Sequence, residues 1–259
     1  MFNQRVSSLV YALTFAALAA GGQGCAPDDP DWEGGTFQDP VANDRVGRLP
    51  PGDLYRAYQY NCSSPSCGYQ VSTLNESTWC PEYAMFSGAC RMFDFDLSRT
   101  KLSAEEEALT LEAISDSGLD GGRGGVLLRG EIVVTESPYT QSGYRSDFVA
   151  TEVWWGGTGA LVADDAGEFA RVTDIGMDCR RDPCFYLRDV VVNARIPHRL
   201  SGLDFGPSGA NSSQVVEAMD AAATDSGVIV VGTLVKADSE GRRAGLERTV
   251  EEYFVRVGP

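Results

Sequence analysis

The sequence predicts an α+β protein, predominantly antiparallel β, made of two pseudo-repeats with the element order β-β-(β)-α-β-β. Three observations indicate this: a Cys-x4-Cys pair followed by a strand occurs twice, a capped helix follows each strand region, and a Val-rich hairpin closes each half. An internal repeat decides the architecture before any single motif does. We expect each half to resemble a small five-stranded barrel pinned by disulfides, although helix-on-sheet layers give the same element order.

Each half begins with a cysteine pair and a strand. The pair in residues 62–67 precedes GYQVSTLN, which ends at Asn75, and the pair in residues 179–184 precedes FYLRDVVVN, which ends at Asn193. Both pairs enclose four residues that include a proline. The segment RMFDFDL, from Arg91, is the expected third strand of the first half.

The helices are predicted from capping chemistry. Ser103 is followed three residues later by Glu106 at the start of SAEEEALTLEAI, and Asn211 is followed by Gln214 in the second half. This spacing is typical of a capping box, in which the two side chains satisfy each other's backbone N–H groups. A helix is therefore expected at the same place in each half.

The closing hairpins align with each other. GVLLRGEIVVTE, from Gly125, matches GVIVVGTLVKAD, from Gly227, at an offset of 102 residues with four identities in twelve. The same offset places FVATEVWW, from Phe148, onto VEEYFVRV, from Val250. Glycine-rich breakers between these runs favour antiparallel hairpins. The predicted repeats are 53–159 and 160–259, which can pack together as one domain.

The first 24 residues are predicted to be a lipoprotein signal peptide. One charge, Arg5, precedes an apolar run from Val6 to Ala20, which is too short to span a bilayer, and the segment ends before Cys25. Residues 25–52 are rich in Pro, Asp and Gly, and are expected to be a disordered acidic linker. We expect a lipid on Cys25 to attach the protein to the outer membrane or cell surface. Cleavage after Ala19, which gives a periplasmic or secreted soluble protein, is the alternative.

Cysteine parity also favours lipidation. The chain has seven cysteines, so one must stay outside any set of disulfides, and Cys25 lies far from the rest. The expected pairs are local, as the repeat requires: Cys62–Cys67, Cys179–Cys184 and Cys80–Cys90. The thiolates of Cys62, Cys67, Cys179 and Cys184 could also coordinate one zinc ion, but export to an oxidising compartment favours disulfides. We therefore expect no metal and no cofactor.

The net charge of −16 argues against nucleic-acid binding, which needs Lys and Arg to neutralise phosphates. The chain has two lysines, Lys101 and Lys236, and the sequence predicts no basic cluster that could hold anionic lipid. Its one histidine, His198, is expected to be a surface or hydrogen-bonded residue rather than a catalytic base. No Gly-x-Ser-x-Gly, His-Glu-x-x-His or phosphate-binding glycine motif is present.

Four residues are weak binding candidates. Asp94 and Asp96 lie two apart on an expected strand, so both carboxylates would share one face, as acid–base work requires. Trp154 and Trp155 are adjacent on another strand and must point to opposite faces, one to the core and one available to stack on a sugar or partner.

The motifs CSSPSCGYQVSTLN, STWC and GACRMFDFD, with the later CRRDPCFYLRDVVVN and SGLDF, resemble an uncharacterised family of exported bacterial proteins. The resemblance extends from about Tyr55 to Val257; many members have lipoprotein signals, and the family is common in myxobacteria. It implies export and no particular activity. We therefore expect a non-enzymatic binding or structural module of the cell envelope, with an envelope protein or polysaccharide as partner. The alternative is a hydrolase of envelope or extracellular polymer that uses Asp94 and Asp96.

Overall fold

The structure is a computed structural model. It describes residues 52–59, 68–117, 125–138, 143–159, 167–177, 184–194, 197–236 and 245–259. The predicted signal peptide, Cys25, nearly all of the linker, Cys62, Cys67 and Cys179 lie outside these residues.

The described chain forms sixteen strands and two helices. The strands are β1 Asp53–Gln59, β2 Tyr69–Thr73, β3 Thr78–Cys80, β4 Met85–Ser87, β5 Cys90–Met92, β6 Phe95–Asp96, β7 Val126–Glu136, β8 Tyr144–Gly156, β9 Glu168–Asp174, β10 Leu187–Val191, β11 Pro197–Leu200, β12 Gly202–Asp204, β13 Val228–Gly232, β14 Leu234–Lys236, β15 Leu246–Thr249 and β16 Glu252–Val257. The helices are α1 Ala104–Asp116 and α2 Ser212–Ala222. The prediction of a mostly antiparallel α+β protein is confirmed.

Eleven strands form one sheet in the order β11-β10-β9-β13-β16-β8-β7-β1-β2-β5, with β6 added in parallel to β8. Two smaller sheets, β12-β15-β14 and β3-β4, lie outside it. The expected barrels are wrong: the described sheet is open, with β11 and β5 at its edges. The reason is that β8 and β16, the last strands of the two predicted repeats, pair with each other instead of each closing a sheet within its own repeat.

The expected third strand from Arg91 is also wrong in part. It is broken at Phe93 and Asp94 into β5, which pairs with β2, and β6, which pairs with β8. The break arises because the backbone changes partner here: Phe93 N–H donates to Ser146 O, and Phe148 N–H donates to Asp94 O.

Both capping boxes are confirmed. At α1 the Ser103 hydroxyl accepts from the backbone N–H of Glu106, whose carboxylate accepts from the Ser103 N–H at 2.7 Å. At α2 the Asn211 side-chain oxygen accepts from the backbone N–H of Gln214, and the Gln214 side chain accepts from the Asn211 N–H at 2.9 Å. These contacts satisfy N–H groups that the first turn leaves unpaired.

The two helices cover the same face of the large sheet. Trp155 on β8 lies directly opposite Val255 on β16, and directly opposite residues project to one face. Trp155 donates its Nε1 hydrogen to Thr110 of α1 at 3.3 Å, while Val255 packs against the buried cluster that includes Ala218 of α2. This face therefore holds two apolar cores, one under each helix.

The other face holds a third buried cluster, which includes Leu54, Leu127, Trp154, Ile229 and Phe254. We call this the helix-free face. Two asparagines, one after β2 and one after β10, form hydrogen bonds across this face.

Asn75 and Asn193 connect distant strands, and we call their bonds the asparagine contacts. The Asn193 side chain accepts from Leu54 N–H at 3.1 Å and donates to Leu54 O and Leu74 O. The Asn75 side chain accepts from Phe169 N–H at 2.8 Å and donates to Phe169 O and Val192 O. Both have positive φ, 63° and 65°, which asparagine tolerates better than most residues.

These contacts show that the sheet curls over the helix-free face. β1 and β10 are six positions apart in the strand order, about 29 Å in a flat sheet at ~4.8 Å per strand. Asn193, just after β10, nevertheless bonds Leu54 of β1 at 3.1 Å. The curl turns the helix-free face inward and brings residues of distant strands together.

Candidate ligand-binding site

The helix-free face carries a cavity of about 370 Å³ that we call the arginine cavity. Five cationic side chains from four separate parts of the chain line it: Arg99, Lys101, Arg129, Arg171 and Arg256. Two acidic side chains, Glu152 and Asp225, also line it. In a chain with a net charge of −16, this is a local excess of positive charge. A larger depression near Arg56, of about 740 Å³, is lined otherwise by neutral residues.

Glu152 holds two of the arginines in place. Its Oε2 accepts from Arg129 Nε at 2.8 Å, and its Oε1 lies 3.7 Å from Arg256 Nε. Glu152 and Arg129 are both more than nine-tenths buried, and Arg129 also donates to Gly52 O at 2.9 Å. A buried carboxylate between two guanidinium groups fixes their directions, because each charge needs its partner in a low-dielectric site.

A β-bulge lies beside Arg129. The pairing of β7 with β8 shifts register between Arg129 and Gly130, and Gly130 is required at this point because a Cβ there would clash with the backbone oxygen of Val149. Arg129 itself precedes the shift. It lies two residues after Leu127, and alternate residues of a strand share a face, so alternation places Arg129 with Leu127 on the helix-free face, in the wall of the cavity.

Arg171 and Arg256 anchor the opposite wall. Arg171 donates to Ser226 O at 2.6 Å and also to Asp225 O, and Arg256 donates to the Ser226 hydroxyl at 3.1 Å. Burial and the nearby cation Arg129 lower the pKa of Arg171. The cations of this cavity thus raise each other's electrostatic free energy.

Two buried donors of residues that line the cavity have no hydrogen-bond acceptor among the described residues. Trp154 lines the cavity with only 1% of its surface exposed, and its Nε1 has no hydrogen-bond partner among the described residues. Arg256 Nε is likewise buried without a hydrogen bond there. A buried donor without an acceptor costs about 1–3 kcal/mol, so these groups favour a ligand that supplies acceptors.

A second charged cluster lies on the face of the large sheet that the helices cover. Asp189 and Arg248 are both fully buried, and Asp189 Oδ2 accepts from Arg248 Nη2 at 2.8 Å and Nε at 3.0 Å. Burial raises the pKa of Asp189, and the Arg248 cation opposes that rise. His198, on β11, has its Nδ1 3.8 Å from Asp189 Oδ2. No metal-binding group of three or more His, Cys, Asp or Glu side chains occurs among the described residues.

A third feature is an exposed aromatic hairpin formed by β3 and β4. Trp79 and Phe86 stack edge to face with centroids 5.0 Å apart, and they are 46% and 66% exposed. The Cys80–Cys90 disulfide, as predicted, joins this hairpin to β5 with Cα atoms 5.4 Å apart. Cys184 is also disulfide-bonded, but its expected partner Cys179 lies outside the described residues, as does the expected Cys62–Cys67 pair.

The structure places the four sequence candidates in different surroundings. Asp94 and Asp96 are exposed, and each accepts from a backbone N–H of its own segment, Phe95 at 2.9 Å and Ser98 at 2.9 Å. Hydrogen bonds from Ser98 lower the pKa of Asp96. Neither carboxylate lines the arginine cavity. Trp154 lies in the cavity wall, and Trp155 lies half-buried beside α1.

The cations of the arginine cavity are dispersed in the sequence and come together only on folding. Arg129, Arg171 and Arg256 lie on β7, β9 and β16, each isolated from other cations in its strand. One signal was available in the sequence. Arg129 follows the apolar run Val126–Leu128, so its charge had to be placed within or beside a core.

The fold and the cavity define an α+β protein whose open antiparallel sheet carries a cation-lined site. The chain belongs to a family described as a domain of unknown function, DUF6748, whose model matches residues 55–259. This agrees with the resemblance to an uncharacterised family. No curated protein matches the chain. No solved structure matches it either. Neither described helix is long and apolar enough to cross a membrane.

Proposed function

We propose that this protein is an exported, lipid-anchored binding module of the bacterial cell envelope, at the outer membrane or cell surface. The arginine cavity is its ligand-binding site, and it binds a small anionic molecule without catalysing its conversion. The observation that carries this proposal is the convergence of five cationic side chains on one cavity in a strongly acidic protein. Its volume lies within the usual range for small-molecule sites, about 300–1,000 Å³.

The proposal includes the two pseudo-repeats, with boundaries at 53–159 and 160–259. The strand order supports it, because β5-β2-β1-β7-β8 on one side of the centre corresponds to β11-β10-β9-β13-β16 on the other. The asparagine contacts support it too, since each asparagine makes the same three bonds to the other half. The duplicated strands form the curled sheet that holds the cavity. The cavity itself is lined by residues at which the two repeats differ.

Cys25→Ser should move the protein from the membrane fraction to the soluble fraction. The reason is that the thiol of Cys25 is the proposed site of acylation, and stable membrane attachment needs more than one acyl chain. Fractionation with and without detergent, together with the intact mass of the wild-type protein, measures this. A wild-type protein that begins at Ala20 and has an unmodified Cys25 would contradict lipidation and favour the secreted form.

The hydrolase alternative would use Asp94 and Asp96, and the geometry favours the binding module over it. A general acid needs a raised pKa at neutral pH, whereas the pKa of Asp96 is lowered by its Ser98 hydrogen bonds. Asp94→Asn together with Asp96→Asn is expected to leave ligand binding unchanged. Loss of a measured polymer-cleaving activity in that double variant, with its unfolding temperature retained, would establish the hydrolase.

We assign the contact with an envelope polysaccharide to the exposed hairpin of Trp79 and Phe86. Exposed aromatic rings held by a disulfide offer rigid apolar surfaces on which sugar rings stack. Trp79→Ala should weaken retention in affinity electrophoresis through envelope polysaccharide about tenfold. Phe93→Ala, an exposed aromatic outside the hairpin, is the matched control and should have little effect. Equal losses in both variants would refute the assignment.

A further inference from the structure

We propose that the ligand of the arginine cavity is a phosphate monoester of a small organic molecule, a refinement that rests on the proposed binding function. Four features of the cavity support a phosphate monoester: the strands and loops from which its donors come, its charge, its unpaired donors and its volume.

The donors converge from several directions. Arg129 is on β7, Arg171 on β9 and Arg256 on β16, while Arg99 and Lys101 lie between β6 and α1. A carboxylate accepts hydrogen bonds largely within one plane, whereas a phosphoryl group offers three terminal oxygens pointing apart. Guanidinium groups that surround a site from different strands therefore match a phosphoryl group better.

The cavity has hydrogen-bond donors that are not used in bonds to the described residues. A guanidinium carries five N–H donors, and Arg129 and Arg171 each make two hydrogen bonds to the described residues, while Arg256 makes one. Lys101 makes none there, and it holds a backbone φ of +60°, a strained conformation that is common at binding sites. Trp154, which also lines the cavity, has a neutral donor, Nε1, that is buried without a hydrogen-bond partner among the described residues.

Charge favours a dianion. Five cationic side chains face two acidic ones; Glu152 is already engaged with Arg129 and Arg256, and Arg99 forms an exposed ion pair with Glu131 outside the cavity lining. Burial first, and the nearby cation Arg129 second, lower the pKa of Arg171, and a bound dianion would relieve the repulsion between these two cations. A phosphate monoester carries a charge of about −1.5 to −2 at neutral pH.

Volume favours an ester over the free ion. A cavity of about 370 Å³ corresponds to about twelve water-sized groups at roughly 30 Å³ each. Inorganic phosphate has five heavy atoms and leaves most of that space unfilled. A small phosphorylated molecule fills it, with the phosphoryl group among the arginines.

The test is thermal unfolding of the full chain in detergent, at constant ionic strength, with glycerol 3-phosphate, inorganic phosphate or succinate as the probe. We expect glycerol 3-phosphate at 100 times its Kd to raise Tm by about 5–10 °C. Inorganic phosphate should raise it less at equal concentration, and succinate should leave it unchanged. Calorimetric titration supplies each Kd.

Two variants test whether glycerol 3-phosphate binds in the arginine cavity. Lys101→Gln changes an exposed side chain without a hydrogen bond to the described residues, and should weaken glycerol 3-phosphate binding about tenfold. Trp154→Phe removes the Nε1 donor, keeps most of the ring packing and should weaken binding by a similar factor. Lys236→Gln, the same charge change at the other lysine, is the matched control and should leave Kd unchanged.

Three results would overturn the inference, and they separate it from the proposed function. Stabilisation by succinate alone, lost in Lys101→Gln, would refute the phosphate ester but leave the anion-binding function standing. No stabilisation by any of the three probes would refute both. Equal weakening in Lys101→Gln and Lys236→Gln would show general charge screening and also refute both.

Discussion

Arg248→Met should lower the free energy of unfolding by about 3–5 kcal/mol, because it leaves Asp189 as a buried charge without its cation. Both side chains are fully buried in the wild-type protein, so water cannot replace the lost partner. Urea unfolding of the full chain at neutral pH measures the loss. Arg99→Met removes an exposed ion pair with Glu131 and is the matched control, with an expected change under about 0.5 kcal/mol.

The loss in Arg248→Met should also depend on pH. Burial raises the pKa of Asp189, and removing Arg248 takes away the main opposing influence, so the pKa in the folded variant rises further. The folded state then holds a proton that the unfolded state, with a pKa of about 3.9, has released. The free energy of unfolding of the Arg248→Met variant therefore falls as pH rises above about 4. An equal loss of unfolding free energy in Arg248→Met at pH 4 and at pH 7 would contradict an ionised Asp189. Adding Asp189→Leu to Arg248→Met should restore much of the stability at pH 7.

Asn193→Asp should destabilise the protein by about 2–4 kcal/mol although the side chain keeps its shape. The amide donates to Leu54 O and Leu74 O, and a carboxylate would place an acceptor against both carbonyl oxygens. Asn75→Asp should have a similar effect because it donates to Phe169 O and Val192 O.

The control for these variants is Asn211→Asp. Asn211 acts as a helix cap whose side-chain oxygen accepts hydrogen bonds from Ser213 and Gln214, and aspartate caps helices equally well. Its expected change is within about 0.5 kcal/mol. Urea unfolding of the three variants at one pH compares them, and a change of equal size at all three positions would argue against the asparagine contacts as a source of stability.

The local elements could be predicted from the sequence because their signals are local. Each capping box depends on two residues three apart, Ser103 with Glu106 and Asn211 with Gln214, and both formed as expected. The strands of the Val-rich hairpins were also visible, since their composition and the glycine breakers define them without reference to the rest of the chain.

The sheet topology could not be predicted in the same way. Whether each half closes or joins the other depends on β8 pairing with β16, about 100 residues away, and no local pattern specifies that partner. The candidate site follows from the same long-range pairing. Arg129, Arg171 and Arg256 meet only because β7, β9 and β16 lie in one curled sheet. The buried pair of Asp189 and Arg248 could not be predicted either, because the two residues are 59 positions apart in the sequence.

The asparagine contacts have a consequence for any fragment of this chain. A polypeptide that contained only β1 to β8 would expose the edge of β8 from Val153 to Gly156, which pairs with β16, and would leave Asn75 without the backbone of Phe169 and Val192. An exposed strand edge recruits another strand. Two identical copies of that fragment could supply each other with both missing partners, β8 against β8 and each asparagine against the other copy's backbone. Under the proposed duplication, the present arrangement of strands is the one that a symmetric homodimer of half-length chains would adopt after its two subunits had been joined into one.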